Sequence, residues 1–201
     1  YTHLYPEYIK YANDKCQFYL SQEIPHIETE NHTFFGIFVN KYWGRWSGRD
    51  DNWLIDRFCE IVECVREIED KSIILVRAHP TLETDIIEYA IKKSGHGDIY
   101  ITYLHPTLIG IVSDAVIGLC ESTSYHHVMA AGSPYIDYGG MQKENYEIFP
   151  EGSLFASYGT IVAPNKVKLM EKLLDKDLSN MAVSNYRPLL KHKMDLSVFK
   201  K

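Results

Sequence analysis

The chain has 201 residues, enough for one substantial core or one and a half small domains. Its 45% hydrophobic and 24% charged content is that of an ordinary globular protein. A net charge of -6 argues against a general nucleic-acid binder, which carries a basic face, yet leaves room for a local basic pocket.

No apolar run reaches membrane-spanning length, and neither a membrane span nor a signal peptide is expected. The chain opens at Tyr1 and not at methionine, so it is expected to be a fragment or a trimmed chain. Cys16, Cys59, Cys64 and Cys120 form no C-x-x-C pair, so free thiols in a reducing cytosol are expected and no zinc or redox motif.

Residues 1–32 read as irregular, with a short helix near Tyr8–Asn13 and a strand over Cys16–Leu20. Regular alternation begins at Thr33. Phe34–Val39 is a buried strand, and Leu54, Phe58, Ile61, Val65 and Ile68 recur at helical spacing. Ile73–Val76 is the next strand. Thr81–Ser94 is predicted as a helix, with Glu83 and Asp85 in its first turn and Gly95 as its stop. Ile99–Tyr103 is a strand, and Pro106 opens a short helix to Val112. Ala115–Cys120 is a short apolar strand followed by Glu121-Ser122-Thr123-Ser124, which opens a helix that Gly132 and Pro134 close. Tyr135–Tyr138 and Thr160–Ala163 are strands, Lys166–Leu174 is a helix, and the tail from Asn180 is helical with a break near Pro188.

Strands alternating with helices predict an α/β, Rossmann-like parallel sheet with helices on both faces. The expected division is 1–32 as an extension or remnant of a preceding domain and 33–201 as the Rossmann-like domain with its helical tail. In such sheets ligands bind beyond the carboxyl ends of the strands, so the residues at those ends are the candidates.

After the first strand, Lys41–Arg49 holds three cations, two glycines and three aromatics. Arg45 and Arg49 suit phosphate oxygens, and the aromatics suit a base or sugar; a solvated loop anchored by tryptophans is the alternative. After the second strand, His79-Pro80 offers an imidazole fixed by proline that can donate to a phosphate or sugar hydroxyl, or cap the next helix. Tyr103 and His105 follow the third strand, where a base contact or a purely structural turn are both open. Glu121, Ser122, Thr123 and Ser124 stand at a helix start, suited to a phosphate or to simple capping. The neighbours His126 and His127 point in different directions and read as structural or rim residues, so no metal site is expected.

Taken together, the H-P turn, S-D-A-V-I-G, the hydroxyl-rich turn and M-A-A-G-x-P resemble the C-terminal, donor-binding domain of GT-B glycosyltransferases. The pattern is similar to the bacterial capsule and surface-polysaccharide group, which includes Kdo and sialic acid transferases and CDP-glycerol polymerases. It covers about Thr33 to Leu174. The resemblance implies that His79-Pro80 is the HP motif and Ser122-Thr123-Ser124 the serine motif, both holding donor phosphates. His79 would be the catalytic group, with Arg45 and Arg49, stabilising charge on the leaving phosphate. Tyr103, His105 and Glu121 complete the implied donor site.

The chain departs from the family pattern at His127, which stands in H-V-M-A-A-G where many GT-B enzymes carry the glutamate that holds the donor ribose. There is also room for only one of the two GT-B domains. The implied function is transfer of a sugar or polyol phosphate from a CMP-, CDP- or UDP-linked donor to a carbohydrate or lipid-linked acceptor, with no cofactor beyond the donor substrate. A cytoplasmic site is implied, extending to the inner membrane face through a missing domain. A nucleotide-sugar 2-epimerase and a non-catalytic module that scaffolds a polysaccharide complex are the alternatives.

Overall fold

The computed structural model describes residues 6–27, 32–40, 49–120, 122–139, 147 and 149–185. The elements in chain order are α1 (Pro6–Glu23), β1 (Phe34–Val39), α2 (Asp51–Ile68), β2 (Ile73–Ala78), α3 (Thr84–Ser94), β3 (Ile99–Ile101) and α4 (Pro106–Val112). There follow β4 (Ala115–Leu119), α5 (Tyr125–Ala130), β5 (Tyr135–Tyr138), a 3-10 turn (Ala156–Tyr158), β6 (Ile161–Ala163), α6 (Lys166–Leu173) and α7 (Leu178–Asn185). The six strands form one parallel sheet in the order β3-β2-β1-β4-β5-β6. This is the predicted Rossmann-like α/β architecture.

The two faces of the sheet are read off alternate residues of each strand. Phe35, Ile37, Val39, Ile74, Val76, Ile117 and Ile136 face α2, α3 and α6, joining Leu54, Phe58, Ile61, Val65 and Ile87. Phe34, Phe38, Ile73, Leu75, Val116 and Tyr135 face the other way, onto α1, α4 and α5. Both faces are covered, which is why the strands read as unbroken apolar runs. Each fully buried aliphatic or aromatic side chain contributes about 1.5–3 kcal/mol.

Residues 6–23 depart from the expectation. Cys16–Leu20, read as a strand, lies inside one helix of 18 residues. Its buried positions Ala12, Cys16 and Leu20 are spaced by four and form a narrow stripe against α4, where the Cys16 thiol donates to Leu108 O. Tyr11 and Phe18 stay exposed on its outer side. This scatter of exposed aromatics blurs the helical period that a wider stripe would reveal.

Several boundaries shift, β2 among them, which runs on to Ala78. The helix predicted from Thr81 starts at Thr84, because residues 79–82 form a separate turn in which Leu82 N–H donates to His79 O. The β3 ladder ends at Ile101, short of Tyr103. β4 ends at Leu119, because Cys120 takes a left-handed conformation (φ 62) that turns the chain off the sheet. The helix after β4 spans six residues, Tyr125–Ala130, and its N-cap Ser124 makes no capping bond through its side chain. The predicted tail helix is present over Leu178–Asn185, and the break expected near Pro188 lies outside the described residues.

The amino edge of the sheet is held by a buried cation. Arg66, at the end of α2, donates to Asp70 O, Ser72 O and Gly97 O, tying the entry of β2 to the entry of β3. Carbonyl dipoles satisfy the guanidinium there. No helix among the described residues is long and apolar enough to cross a membrane.

Candidate functional site

The chain leaves β1 toward β2 on one side, and β4 occupies the other side, so the strand order reverses between β1 and β4. In open parallel sheets this reversal opens a crevice beyond the carboxyl ends. A small cleft lies there, lined by Phe38, Val39, Asn40, Arg77, His79, Ser122 and Ser124. Its enclosed part measures about 20 Å³, the room of one water-sized group, and it opens to solvent.

His79 is held in one orientation by its own turn. Its Nδ1 accepts from the Thr81 N–H at 3.2 Å and lies 2.8 Å from the Thr81 hydroxyl. A backbone N–H can only donate, so Nδ1 carries no proton and the neutral ring carries it on Nε2. His79 therefore offers the cleft an Nε2–H donor.

Arg77 is half-buried two residues earlier, on β2, where its Nε donates to Leu104 O at 3.2 Å. Burial lowers its pKa from the ordinary value, and a guanidinium stays a cation regardless. No carboxylate lines the cleft among the described residues. Ser122 Oγ accepts from Ser124 N–H at 3.2 Å, which leaves the Ser122 hydroxyl proton available. The arrangement is a set of donors around one cation, suited to an oxyanion.

The structure thus brings together His79, Ser122 and Ser124 of the sequence candidates. Pro80 and Thr123 are exposed beside them and do not line the cleft. Arg45 and Glu121 lie outside the described residues. Arg49 stacks over Trp53, its Cζ 3.9 Å from the ring centroid, and donates to Gly139 O at 3.1 Å. That places Arg49 beyond the end of β5, not among the cleft residues.

Tyr103 is 81% exposed on the turn after β3. His105 caps α4, its Nδ1 accepting from Thr107 N–H at 3.3 Å and lying 3.4 Å from the Tyr8 hydroxyl. Its ring meets His127 edge-on, centroids 4.8 Å apart. His126 is buried and stacks on Tyr125, and burial lowers its pKa to about 4. His126 is thus a core residue and His127 a rim residue.

Two signals escape a reading by strand ends alone. The tetrapeptide His-Pro-Thr-Leu occurs twice, at 79–82 and 105–108, and both copies fold into the same turn with the histidine Nδ1 bound to the N–H two residues on. Arg77 is the other, visible in sequence only as a cation at a strand end. A larger opening of about 300 Å³ lies at the amino edge, lined in part by Thr33, Glu69, Asp114, Asp175 and Lys176. Burial raises the pKa of Asp114 there. The Asp175-Lys176-Asp177 triplet is at this end, with Asp175 Oδ1 accepting from Asp177 N–H. Among the described residues, no group of three or more His, Cys, Asp or Glu could hold a metal ion.

No family model matches the chain, and no curated protein matches it. Solved structures do. The UDP-GlcNAc 2-epimerase from Neisseria meningitidis bound to UDP-GlcNAc is similar at a TM-score of 0.57 and 12% identity, over 90% of this chain and 48% of that one. The wall teichoic acid polymerase TagF, as its H548A variant, is similar at 0.56 and 16%, over 87% and 42%. The S. aureus MnaA–UDP co-structure is similar at 0.52 and 11%, over 79% and 42%. The chain spans less than half the length of these structures. Its six-stranded parallel sheet, helix-covered on both faces, is the fold of one half of a GT-B protein.

Proposed function

We propose that this chain is the donor-binding half of a GT-B glycosyltransferase, moving a sugar or polyol phosphate from a nucleotide-activated donor during surface-polysaccharide synthesis. The observation that supports this most is the convergence of Arg77, His79, Ser122 and Ser124 on one cleft at the reversal of strand order. In such a transfer the bond between the donor's reacting carbon or phosphorus and the nucleotide phosphate oxygen breaks. Negative charge then grows on that oxygen. An Nε2–H from His79 aimed at it, with Arg77 and two hydroxyls, stabilises the charge more in the transition state than in the ground state.

The nucleotide is CMP-, CDP- or UDP-linked, in keeping with similar structures that hold UDP, UDP-GlcNAc and CDPG. The acceptor, carbohydrate or lipid-linked, and its base are supplied by another domain. Residues 33–201 act as the donor unit, in the cytoplasm or against the inner membrane face. Thermal unfolding with CDP, UDP and CMP tests the reading. A rise in Tm that His79→Ala removes supports it, and no shift at millimolar nucleotide overturns it.

A second reading is a nucleotide-sugar 2-epimerase, favoured by the fold likeness to the Neisseria enzyme. Incubation with UDP-GlcNAc separates them: an epimer at C2 supports the second reading, and transfer to an added acceptor supports the first. Nucleotide binding with neither product points to a non-catalytic module.

A further inference from the structure

Arg77 combines two features that no other residue of the cleft has. Its Nε–H is committed to Leu104 O, on the turn that leads from β3 into His105. Its two Nη groups have no protein partner among the described residues. Among the described residues no carboxylate faces this half-buried guanidinium, so the Leu104 carbonyl is the one protein group there that offsets its desolvation. The other lining groups cannot neutralise it, since His79 presents Nε2–H and Ser122 and Ser124 are hydroxyls.

The planar geometry divides the work. The Nε side is used by the carbonyl, and the end-on edge formed by the two Nη groups is the edge that binds a phosphoryl group through two parallel hydrogen bonds. The enclosed part of the cleft admits one oxygen-sized group, with the remainder of an anion lying outside in solvent.

We propose that Arg77 is the anion-specificity residue of this cleft, binding a diphosphate through its end-on edge while its Nε–H holds the exit turn of β3. The proposal rests on the donor-binding reading and deepens it. The ligand class is a pyrophosphate group, free or within a nucleoside diphosphate. Because one guanidinium makes both contacts, occupancy of the cleft is coupled to the order of the Leu104–His105 turn. Lysine carries the charge but cannot make both contacts at once.

The test is titration of the full chain with inorganic pyrophosphate, CDP and cytidine, followed by amide NMR shifts, in the native chain, Arg77→Lys and Arg77→Gln. Pyrophosphate and CDP are expected to bind the native chain and to shift the Leu104 and His105 amides, whereas cytidine leaves those amides in place. Arg77→Gln is expected to lose tenfold or more in affinity for both anions, and Arg77→Lys to retain part of the affinity without the amide shifts. If the native chain binds CDP but folded Arg77→Gln binds it equally well, the Arg77 assignment falls and the donor reading stands. If the native chain binds neither anion, both fall. Should a variant fail to fold, the native titration still decides: pyrophosphate binding that leaves Leu104 and His105 unshifted overturns the coupling.

Discussion

Nδ1 of His79 is bound twice by Thr81, by its N–H at 3.2 Å and by its hydroxyl at 2.8 Å. The pair sets both the tautomer and the aim of the imidazole. Thr81→Val keeps the backbone donor and the side-chain shape but removes the hydroxyl. One such bond contributes about 1 kcal/mol, so nucleotide affinity is expected to fall about fivefold with Tm nearly unchanged. Parallel CDP titrations of the native chain and the variant check this. An unaltered affinity means that the backbone N–H alone sets the ring.

Gly118 on β4 and Tyr135 on β5 form a second close pair. A Cβ built on Gly118 falls on the Tyr135 hydroxyl and against its ring. Gly118→Ala must therefore push a fully buried phenol aside, at about 1–3 kcal/mol for an overpacked core. Urea unfolding measures the loss. Tyr135→Phe, by removing the nearest atom, is expected to recover part of it in the double variant.

Arg66 gives a prediction for stability alone. Replacing it with Met leaves the carbonyls of Asp70, Ser72 and Gly97 without this donor near the amino edge. A cost of about 2–3 kcal/mol is expected in denaturant unfolding, with nucleotide affinity of the folded fraction unchanged. Arg66→Lys recovers only part, since one ammonium cannot span the carbonyls that the guanidinium fork reaches.

The acid side of the stability curve follows from His126. Burial lowers its pKa to about 4 from the ordinary 6.5, so the unfolded chain takes up a proton before the folded one does. The resulting penalty is absent above pH 6.5, grows as pH falls, and levels off below about 4. It amounts to about 3–4 kcal/mol at its full extent, one pKa unit being about 1.4 kcal/mol. His126→Gln is expected to flatten the difference in unfolding free energy between pH 6.5 and 4. A variant whose profile parallels the native one removes His126 as the source.

Much of the sheet is legible in the sequence, for a physical reason. Strands covered on both faces must be apolar throughout, so Phe34–Val39, Ile73–Val76 and Ala115–Leu119 announce themselves. The helix over Asp51–Ile68 does so through its wide apolar stripe. Helix α1 does not, because three small or medium residues four apart are all that it buries. The start of α3 is displaced from Thr81 to Thr84 by a turn in which Thr81 N–H donates to the His79 side chain, a competition that propensity does not register.

Local patterns alone determined the class of fold and placed His79, Ser122 and Ser124 at the carboxyl edge, where they line one cleft. Only the tertiary structure decided which strand ends are neighbours. β1 lies between β2 and β4, so residues more than 40 positions apart share a cleft whereas Arg49 is drawn to Trp53 and Gly139 beyond β5. It also decided that, among the described residues, only the Leu104 carbonyl meets the Arg77 guanidinium at that cleft, since a charge is paired or unpaired only in the company the fold brings to it.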